Sequence, residues 1–386
     1  MINLLFLILG LTACINAEVD ACDYRVFNWN FYLSHNKDLI RGGRNDANAA
    51  CSHWRSSGAN EGRQAHPKFH SRQYCEQYED LRNAKLCHEG HFMSALTHYL
   101  EHGIPEGRHG YISLGGHGMW TMENELFTVT ASAIHAGAIS SIVYKDQVEI
   151  VNSYDHGRQL QYAFTDSTGE CNNPTEAGGG FDGLKDETTS VLHGIRVVPG
   201  QYIATTTQPA YWKGPEDPCT HGRSRLSPFM VSKQVTINYM GNKNLISYEI
   251  SFGMIRDFDM LSFECPTLYM PATFNRVFTL DLSKKTYEEI PLPGDWKEAV
   301  TTKPIMYMNA EGVAVGVRLT RVGGVTGAFH YAYFGRLATN KPIDYTTKWS
   351  AWFHTAAPVK IGTQISTQMY IAVGTPQEVI NALIIP

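Results

Sequence analysis

The chain has 386 residues, enough for two or three domains with an ample core. Its formal net charge is -5 and it contains no long run of Lys or Arg, which argues against a nucleic-acid groove and a polybasic membrane patch. The 20 Tyr, 17 Phe and 7 Trp are a high aromatic content, which suits β-sheets and sugar-binding surfaces alike.

The first 17 residues contain an apolar run over 4–11, followed by the small residues Ala13 and Ala17. This pattern predicts a signal peptide over 1–17, because the run is too short to span a bilayer. We therefore expect a secreted, extracellular protein without a membrane span. Residues 11–14 also resemble a bacterial lipobox, so a lipid anchor on Cys14 is the alternative.

Residues 24–110 contain a degenerate internal repeat. Each copy has an Asp-Leu pair, then a His followed by an aromatic residue, and then Glu-Gly-Arg. The apolar spacing before Gly103 is that of an amphipathic helix, and Gly commonly ends a helix. We therefore predict an α-helical repeat module of two copies over 18–110, each copy a short helix pair closed by a turn.

The two copies resemble a repeat of secreted and surface proteins, with the pattern Tyr-Leu…Asp-Leu…His-Trp/Tyr…Glu-Gly-Arg. The resemblance covers about a fifth of the chain. It implies an interaction module, so a protein partner is expected for this part. His53 and His98 belong to the pattern, and we interpret them as packing residues rather than as metal ligands.

Outside the predicted signal peptide, four cysteines lie before residue 90 and three after it. An even group in a small polar region predicts two disulfides in the helical module, with all three pairings of Cys22, Cys51, Cys75 and Cys87 open. Cys171 and Cys219 lie in Gly/Pro-rich loops and are the expected third pair, which leaves Cys265 as a buried thiol. No Cys-x-x-Cys occurs, so we expect no zinc site, and we expect no other metal and no cofactor.

Residues 111–124 are rich in Gly and predict a linker, because the context of a phosphate-binding loop is missing. From residue 125 onward the apolar periodicity is two, with turn signals between the segments. The predicted strands begin at Leu126, Ala138, Ile195, Tyr202, Gln234, Leu245, Val277, Val313, Phe329 and Gln368. One convincing helix follows, with Thr375 as its N-cap and Pro376 at its first position. Strands without helices between them predict an antiparallel sandwich or barrel, and we expect a mainly β fold with a large β-sandwich over 125–386.

One polar segment of this β part predicts a site. Seven side chains that donate or accept hydrogen bonds lie between short apolar runs, namely Asn152, Asp155, His156, Arg158, Gln159, Gln161 and Glu176. A solvated loop would favour Lys, Ser and Gly instead. Because buried polar groups need partners, the cluster is either a ligand site or a structural network. We favour the ligand site.

The Gly-Ala-Ile-Ser-Ser-Ile-Val-Tyr segment at 137–144, the short strand into Asn152 and the Asp-His-Gly-Arg sequence at 155–158 resemble the opening of the galactose mutarotase fold. The resemblance implies a mutarotase-like β-sandwich, with Arg158 at a sugar cleft. In that family a His and a Glu carry the acid–base chemistry. The resemblance does not place those two residues on this chain.

The expected ligand-binding residues are of the types that hold sugar hydroxyls or stack on a sugar ring: Asn152, Asp155, Arg158, Gln159, Gln161 and Trp212. Arg158 can pair with a carboxylate or sulfate of an acidic glycan through two parallel donors. On a strand, Gln159 and Gln161 would share one face and Arg158 would face away from them, unless the segment is a turn. For acid–base catalysis the candidates are His156, Glu176, His193 and Tyr211, since His titrates near neutrality and burial raises the pKa of a Glu.

Two functions remain open from the sequence. The first is a secreted carbohydrate-binding or carbohydrate-processing protein with a lyase-like or mutarotase-like site for a polar glycan, acidic glycans included. The second is a non-catalytic matrix, adhesion or interaction protein. For Arg158 the alternative to a ligand role is a structural pin between strands. Serine hydrolase and metalloprotease motifs are missing, and no nucleic-acid partner is expected.

Overall fold

The computed structural model describes residues 19–88, 90–111, 118–322, 327–335, 342–355 and 358–384. The predicted signal peptide, Cys14 and residues 112–117 of the predicted linker lie outside the described residues. Within those ranges, none of the helices has both the length and the apolar character needed to cross a membrane.

The N-terminal part is built from short helices: α1 Trp29–His35, α2 Lys37–Arg41, α3 Ala47–His53, α4 Ser71–Gln77, α5 Glu79–Asn83 and α6 Met93–His98. Helices α3 and α6 each continue into a π-helical turn, Trp54–Gly58 and Tyr99–Gly103. The two halves of this module make matching contacts.

In each half a tyrosine hydroxyl lies against a histidine. The Tyr32 hydroxyl is 2.8 Å from His53 Nδ1, and the Tyr74 hydroxyl is 3.0 Å from His98 Nδ1. A Cβ atom at Gly58 would overlap the Tyr32 hydroxyl, and one at Gly103 would overlap that of Tyr74. Glycine is therefore required at these positions because the tyrosine passes directly over the backbone.

The cysteines in the described residues form three disulfides: Cys22–Cys51, Cys75–Cys87 and Cys171–Cys219. The first two staple one half of the helical module each, and Cys265 is a buried free thiol. The predicted third pair and the predicted thiol are confirmed, and the structure selects one of the three pairings that were open in the module.

The β part has these strands in the described residues: β1 Met119–Glu123, β2 Phe127–Ser132, β3 Ile139–Tyr144, β4 Val148–Glu149, β5 Gln161–Asp166, β6 Pro174–Thr175, β7 Val191–Val198, β8 Tyr202–Gln208, β9 Ala210–Tyr211, β10 Val231–Thr236, β11 Leu245–Gly253, β12 Leu261–Pro271, β13 Arg276–Asp281, β14 Thr286–Ile290, β15 Glu298–Thr301, β16 Ile305–Met308, β17 Ala314–Val322, β18 Gly327–Phe334, β19 Thr346–His354 and β20 Gln364–Gly374. They form a four-stranded sheet β1-β2-β3-β4, a nine-stranded sheet β14-β13-β16-β17-β20-β11-β10-β8-β7 and a seven-stranded sheet β15-β18-β19-β12-β5-β6-β9. Neighbouring strands such as β12 and β19, or β11 and β20, run antiparallel.

The two large sheets pack face to face, and their alternating inward side chains form one apolar core. On β19, for example, Trp349, Ala351 and Phe353 point into the core, while Lys348 and Trp352 lie on the outer face. The predicted fold class, a large antiparallel β-sandwich behind a disulfide-stapled helical module, is confirmed.

The last helix, α7 Pro376–Leu383, begins at the predicted N-cap, Thr375, with Pro376 in its first position. The Thr375 side chain and Glu378 form a capping box. The apolar side of α7 packs on the outer face of the nine-stranded sheet, against residues such as Phe278, Met306 and Ala314. Helix α7 therefore covers one half of that face.

The structure differs from the expectations for the β part in two places. Residues 119–123 of the predicted linker form β1, which pairs with β2. Strands β12 and β19, in the middle of the seven-stranded sheet, were not predicted. In β12 a bulge between Glu264 and Thr267 and the proline at 266 interrupt the alternation. In β19 the aromatic Trp352 lies on the outer face, so the pattern of apolar and polar residues is blurred.

The helical module packs directly on the β part. Tyr154 and Ile343 belong to its apolar cluster. His35 Nε2 is 3.0 Å from the Ser140 hydroxyl, and the buried Lys37 ammonium donates to the carbonyls of Ser153 and Tyr154. The module therefore supports the chain segments that lead into the polar cluster predicted from the sequence.

Candidate functional site

The polar segment begins with a turn at 154–157. Asp155 Oδ1 accepts a hydrogen bond from the Gly157 N–H at 2.9 Å. The side-chain amides of Gln159 and Gln161 donate to the carbonyls of Asp155 and Gly157, each at 2.7 Å. Both glutamines are buried, so they brace the turn from inside. Arg158, between them, points away from both toward the outer face of the seven-stranded sheet.

Protein carboxylates hold the Arg158 guanidinium. Its Nε lies 3.1 Å from Asp155 Oδ2, and its Nη2 lies 2.6 Å from Asp344 Oδ1. Its Nη1 donates to the Asp344 carbonyl at 2.6 Å. Burial acts to lower the pKa of Arg158, but the two carboxylates outweigh burial and raise that pKa above its ordinary value. The guanidinium thus ties the turn to the distant segment that contains Asp344.

Asp155 and Arg158 form one wall of a cavity of about 230 Å³ on the outer face of the seven-stranded sheet. The other walls are mainly aromatic: Trp212, Tyr269, Trp296 and Phe334, with Gly157 and Thr346 between them. Trp296 is 60% exposed, so its ring is available at the mouth. We call this space the aromatic cavity.

Backbone contacts and two glycines set the position of Trp212. Its N–H donates to the Asn173 carbonyl at 2.7 Å, and its carbonyl accepts from the Gly180 N–H at 2.9 Å. A Cβ atom at Gly157 would lie 2.8 Å from the Trp212 ring, and one at Gly180 would lie 3.1 Å from it. The indole therefore fits because both neighbours lack a side chain.

Trp296 lies in the turn before β15. Its N–H donates to the Tyr333 carbonyl at 3.1 Å, which ties the turn to the end of β18. Its ring meets the Phe334 ring edge to face, with 4.8 Å between the centroids. Tyr269 on β12 lies on the other side of Phe334, with 6.2 Å between those ring centroids. The three aromatic side chains thus line one side of the cavity together.

A row of charged groups continues from the aromatic cavity along the same sheet face. Tyr269, Lys348 and Ala332 are register partners across three strands, and Glu298 follows opposite Ala332. The Lys348 ammonium lies 3.0 Å from Glu264 Oε2 and 3.6 Å from Glu298 Oε1. The small side chain of Ala332 leaves room for Lys348 to reach across to Glu298.

The pKa values of three side chains in this row, Lys348, Glu298 and Tyr269, differ from their ordinary values. Burial acts to lower the pKa of Lys348, but the carboxylates of Glu264 and Glu298 outweigh burial and raise it. A hydrogen bond with His330, whose Nδ1 lies 3.4 Å from Glu298 Oε2, lowers the pKa of Glu298. Burial raises the pKa of Tyr269, and the nearby Lys348 opposes that shift. These side chains include groups that can donate or accept protons beside a bound ligand.

Three of the predicted site residues, Asp155, Arg158 and Trp212, meet at the aromatic cavity. Asn152 lies behind it, where its side-chain amide donates to the carbonyls of Ile343 at 2.9 Å and Tyr345 at 3.2 Å. Gln159 and Gln161 lie behind the turn, as described above. These three amides hold the backbone around the cavity and do not line it.

The four acid–base candidates are dispersed. The His156 ring nitrogens each lie 2.9 Å from a carbonyl, those of Gly183 and Ile134, and burial lowers the pKa of His156. Tyr211 is buried, with the Arg223 guanidinium 4.9 Å from its ring centre. His193 is exposed on β7 in the other large sheet, with Nε2 3.2 Å from Gln208 Oε1.

Glu176 is fully buried between the sheets, where it pairs with Lys233. Burial raises the pKa of Glu176 and lowers the pKa of Lys233. The Lys233 ammonium also donates to the Gly137 carbonyl at 2.9 Å. The pair lies in the interior between the two large sheets and does not line the aromatic cavity.

Sequence reasoning missed the larger part of the cavity and the whole charged row. Tyr269 comes from β12 and Lys348 from β19, and neither strand was predicted. The sequence of β19 does contain a pattern that predicts a strand, because Trp349, Ala351 and Phe353 are apolar residues at every second position. That alternation would have placed Lys348 on an outer face.

Comparisons with known proteins give structural similarities at low sequence identity. A scan against protein-family models finds no match, and a search of curated protein sequences finds none either. A putative aldose 1-epimerase of Escherichia coli K12 matches with a TM-score of 0.41 and 9% identity, over 67% of this chain and 99% of that one. A galactose mutarotase-like protein of Lactobacillus casei matches with a TM-score of 0.38 and 10% identity, over 67% of this chain and 100% of that one.

A heparan sulfate lyase of Pedobacter heparinus matches with a TM-score of 0.40 and 9% identity, over 86% of this chain and 47% of that one. Each of these matches is a structural similarity at low sequence identity.

Proposed function

We propose that this chain is a secreted carbohydrate-binding protein whose aromatic cavity takes one ring of a neutral glycan. The observation that carries the proposal is a set of four aromatic side chains around one open cavity, next to the Asp155 carboxylate that Arg158 holds in place. Aromatic faces cover the C–H surface of a sugar ring, while a few fixed polar groups hold its hydroxyls. Both kinds of group line this cavity.

The charges near the aromatic cavity support a neutral rather than an acidic glycan. Two cations, Arg158 and Lys348, stand beside four carboxylates, those of Asp155, Asp344, Glu264 and Glu298. Each cation already contacts two of these carboxylates. An acidic sugar would therefore meet excess negative charge, whereas neutral hydroxyls can donate to the carboxylate oxygens.

Two features support secretion. Three disulfides are typical of an oxidising compartment. The predicted signal peptide over 1–17 supplies a route to such a compartment, and the lipobox-like sequence ending at Cys14 supplies the alternative of a lipid anchor. N-terminal sequencing and mass spectrometry of the exported protein distinguish cleavage after Ala17 from lipidation at Cys14.

The Trp296→Ala variant tests the sugar site. Stacking on an aromatic ring contributes roughly 1 kcal/mol or more, so we expect the Kd for a neutral oligosaccharide to rise about tenfold. The melting temperature should stay unchanged, because Trp296 is 60% exposed. Calorimetric titration against a panel of neutral and uronic-acid oligosaccharides measures the affinity.

Tyr24→Ala is the matched control, since Tyr24 is an aromatic residue of the helical module and is 48% exposed. Its affinity should equal that of the wild type. The proposal fails if no neutral oligosaccharide binds, or if the Trp296 variant binds as well as the wild type. The same incubations, read for new reducing ends and for the absorbance of unsaturated products, distinguish binding from processing.

A further inference from the structure

A second surface lies on the outer face of the nine-stranded sheet, on the opposite side of the sandwich from the aromatic cavity. Helix α7 covers the part of this face formed by β13, β16, β17 and the C-terminal end of β20 with apolar contacts. The other half, formed by β7, β8, β10, β11 and β20, contains an open cleft of about 660 Å³. Its lining side chains are predominantly polar.

The strand register gives the cleft its shape. One row of register partners crosses the five strands: Arg196, Ala204, Gln234, Glu249 and Gln368. The adjacent row, two residues along each strand, consists of Gly194, Thr206, Ser232, Ser251 and Ser366. Four long side chains, interrupted at Ala204, therefore form a wall beside a floor of short ones. We call this cleft the trough; it spans four strand spacings, about 19 Å.

The wall is held in place by its own hydrogen bonds. Gln368 Nε2 lies 3.2 Å from Glu249 Oε1 and 3.1 Å from the hydroxyls of Tyr239 and Ser247. On the floor, the hydroxyls of Ser251 and Ser366 are 3.2 Å apart. Amide and hydroxyl groups both donate and accept hydrogen bonds. The trough thus contains a row of side chains that are already held in position and that can both donate and accept hydrogen bonds.

The charge of the trough is balanced. Arg196 and Glu249 lie in the same row and contribute one charge of each sign. A polyanion or a polycation would therefore meet a like charge along its path. A peptide strand adds to the edge of a sheet through backbone hydrogen bonds, whereas the trough crosses a face whose backbone groups are already paired.

We infer that the trough binds a neutral polysaccharide chain that lies across the strands, as a second glycan site separate from the aromatic cavity. A chain of sugar rings carries hydroxyls that donate and accept at regular intervals, which matches the floor and the wall. The length of the trough accommodates several rings, whereas the aromatic cavity takes one. This inference rests on the register and chemistry of the trough and not on the aromatic cavity.

The test is affinity electrophoresis of the full chain in native gels that contain soluble starch, hydroxyethylcellulose, galactomannan or alginate. We expect at least one neutral polysaccharide to retard the wild type, and Ser251→Arg to weaken that retardation at least tenfold in Kd. Ser251 lies on the floor between Ser232 and Ser366, so the arginine side chain fills that part of the trough. Thr286→Arg, on the exposed strand β14 of the same sheet, is the matched control and should behave as the wild type.

Two further variants complete the test, one in the wall of the trough and one in the aromatic cavity. The double variant Gln234→Ala/Gln368→Ala removes the wall without adding bulk, and it replaces Ser251→Arg if that variant does not fold. Trp296→Ala separates the two sites, because it alters only the aromatic cavity. The inference is overturned if no neutral polysaccharide retards the protein, if only alginate does, or if retardation persists in the trough variants. Loss in the Trp296 variant alone would assign the binding to the aromatic cavity.

Discussion

Arg158 joins the turn at 154–157 to Asp344, a residue 186 positions later in the sequence. Its side chain is 18% exposed and contacts two carboxylates and a carbonyl. From the sequence we favoured a ligand role for this arginine, with a structural pin as the alternative. The contacts support the pin, and they leave the guanidinium at the edge of the aromatic cavity.

Arg158→Lys distinguishes the two roles. A lysine cannot reproduce the bonds to both segments, so we expect the free energy of unfolding to fall by about 2 kcal/mol. The oligosaccharide affinity of the folded variant should stay within twofold of the wild type. Urea unfolding and calorimetric titration measure the two quantities.

Arg276→Lys is the control for this substitution, because Arg276 binds Glu289 through two nitrogens on an exposed strand. Exposed pairs contribute little, so this control should change the free energy of unfolding by less than about 0.5 kcal/mol. Unchanged stability of Arg158→Lys, together with a tenfold weaker affinity, would instead establish the ligand role.

At the level of elements, helix α2 supports the site through Lys37. The ammonium is buried and donates to the carbonyls of Ser153 and Tyr154, one position before the Asp155 turn. Burial lowers the pKa of Lys37 to about 7 from its ordinary value of 10.5. The helical module is therefore part of the structure that positions the aromatic cavity, rather than only a presenting surface.

The pKa of Lys37 predicts a pH dependence of stability. Between about pH 7 and 10.5 the unfolded chain binds a proton at Lys37 that the folded chain has released. The free energy of unfolding should therefore gain a contribution that rises with pH across this window. Lys37→Met should remove that contribution, and Lys303→Met, at an exposed position, should keep it. Urea unfolding at several pH values measures the slope, and parallel slopes in wild type and Lys37→Met would contradict the prediction.

On the scale of the whole molecule, the helical module and the β-sandwich are joined without a covalent cross-link among the three disulfides, since each bridge stays within one part. Buried contacts nevertheless cross between the parts. Asn28 donates to the Gln147 carbonyl at 3.4 Å, and His35 lies 3.0 Å from the Ser140 hydroxyl. The two parts therefore form a common apolar and polar interface.

Limited proteolysis tests the predicted boundary. The sequence predicts cleavage within 111–124 that leaves two folded pieces. Because β1 begins at Met119, we now expect the cuts before that residue. The two pieces should elute together in gel filtration under native conditions and separate only in denaturant. Cuts scattered through 125–375, or two separate native peaks, would contradict this arrangement.

The sequence by itself determined the class of the fold. Period-two segments from residue 125, turn residues between them and a capped last helix are local patterns, and each is set by backbone geometry and by one buried face. The Cys171–Cys219 pair was also predictable, because both cysteines lie in Gly/Pro-rich loops. The polar segment predicted Asp155 and Arg158 as site residues, and the expected aromatic stacking predicted Trp212; all three border the aromatic cavity.

Only the tertiary structure decided which side chains meet. Register between strands brings Tyr269, Lys348 and Glu298 onto one outer face, and the same rule builds the trough from five strands that span residues 191–374. A single-residue shift of register would move each of these side chains to the core, and no local pattern fixes that register across such distances. Glu176 is buried in the core, where it pairs with Lys233, and not at the aromatic cavity. Lys233 lies on a strand far along the chain, so no local pattern predicts this pair. Polar residues that are close in sequence therefore lie in different places, Glu176 in the core and Asp155 and Arg158 at the aromatic cavity. The reason is that packing of the two sheets buries one face of each sheet and leaves the other face open.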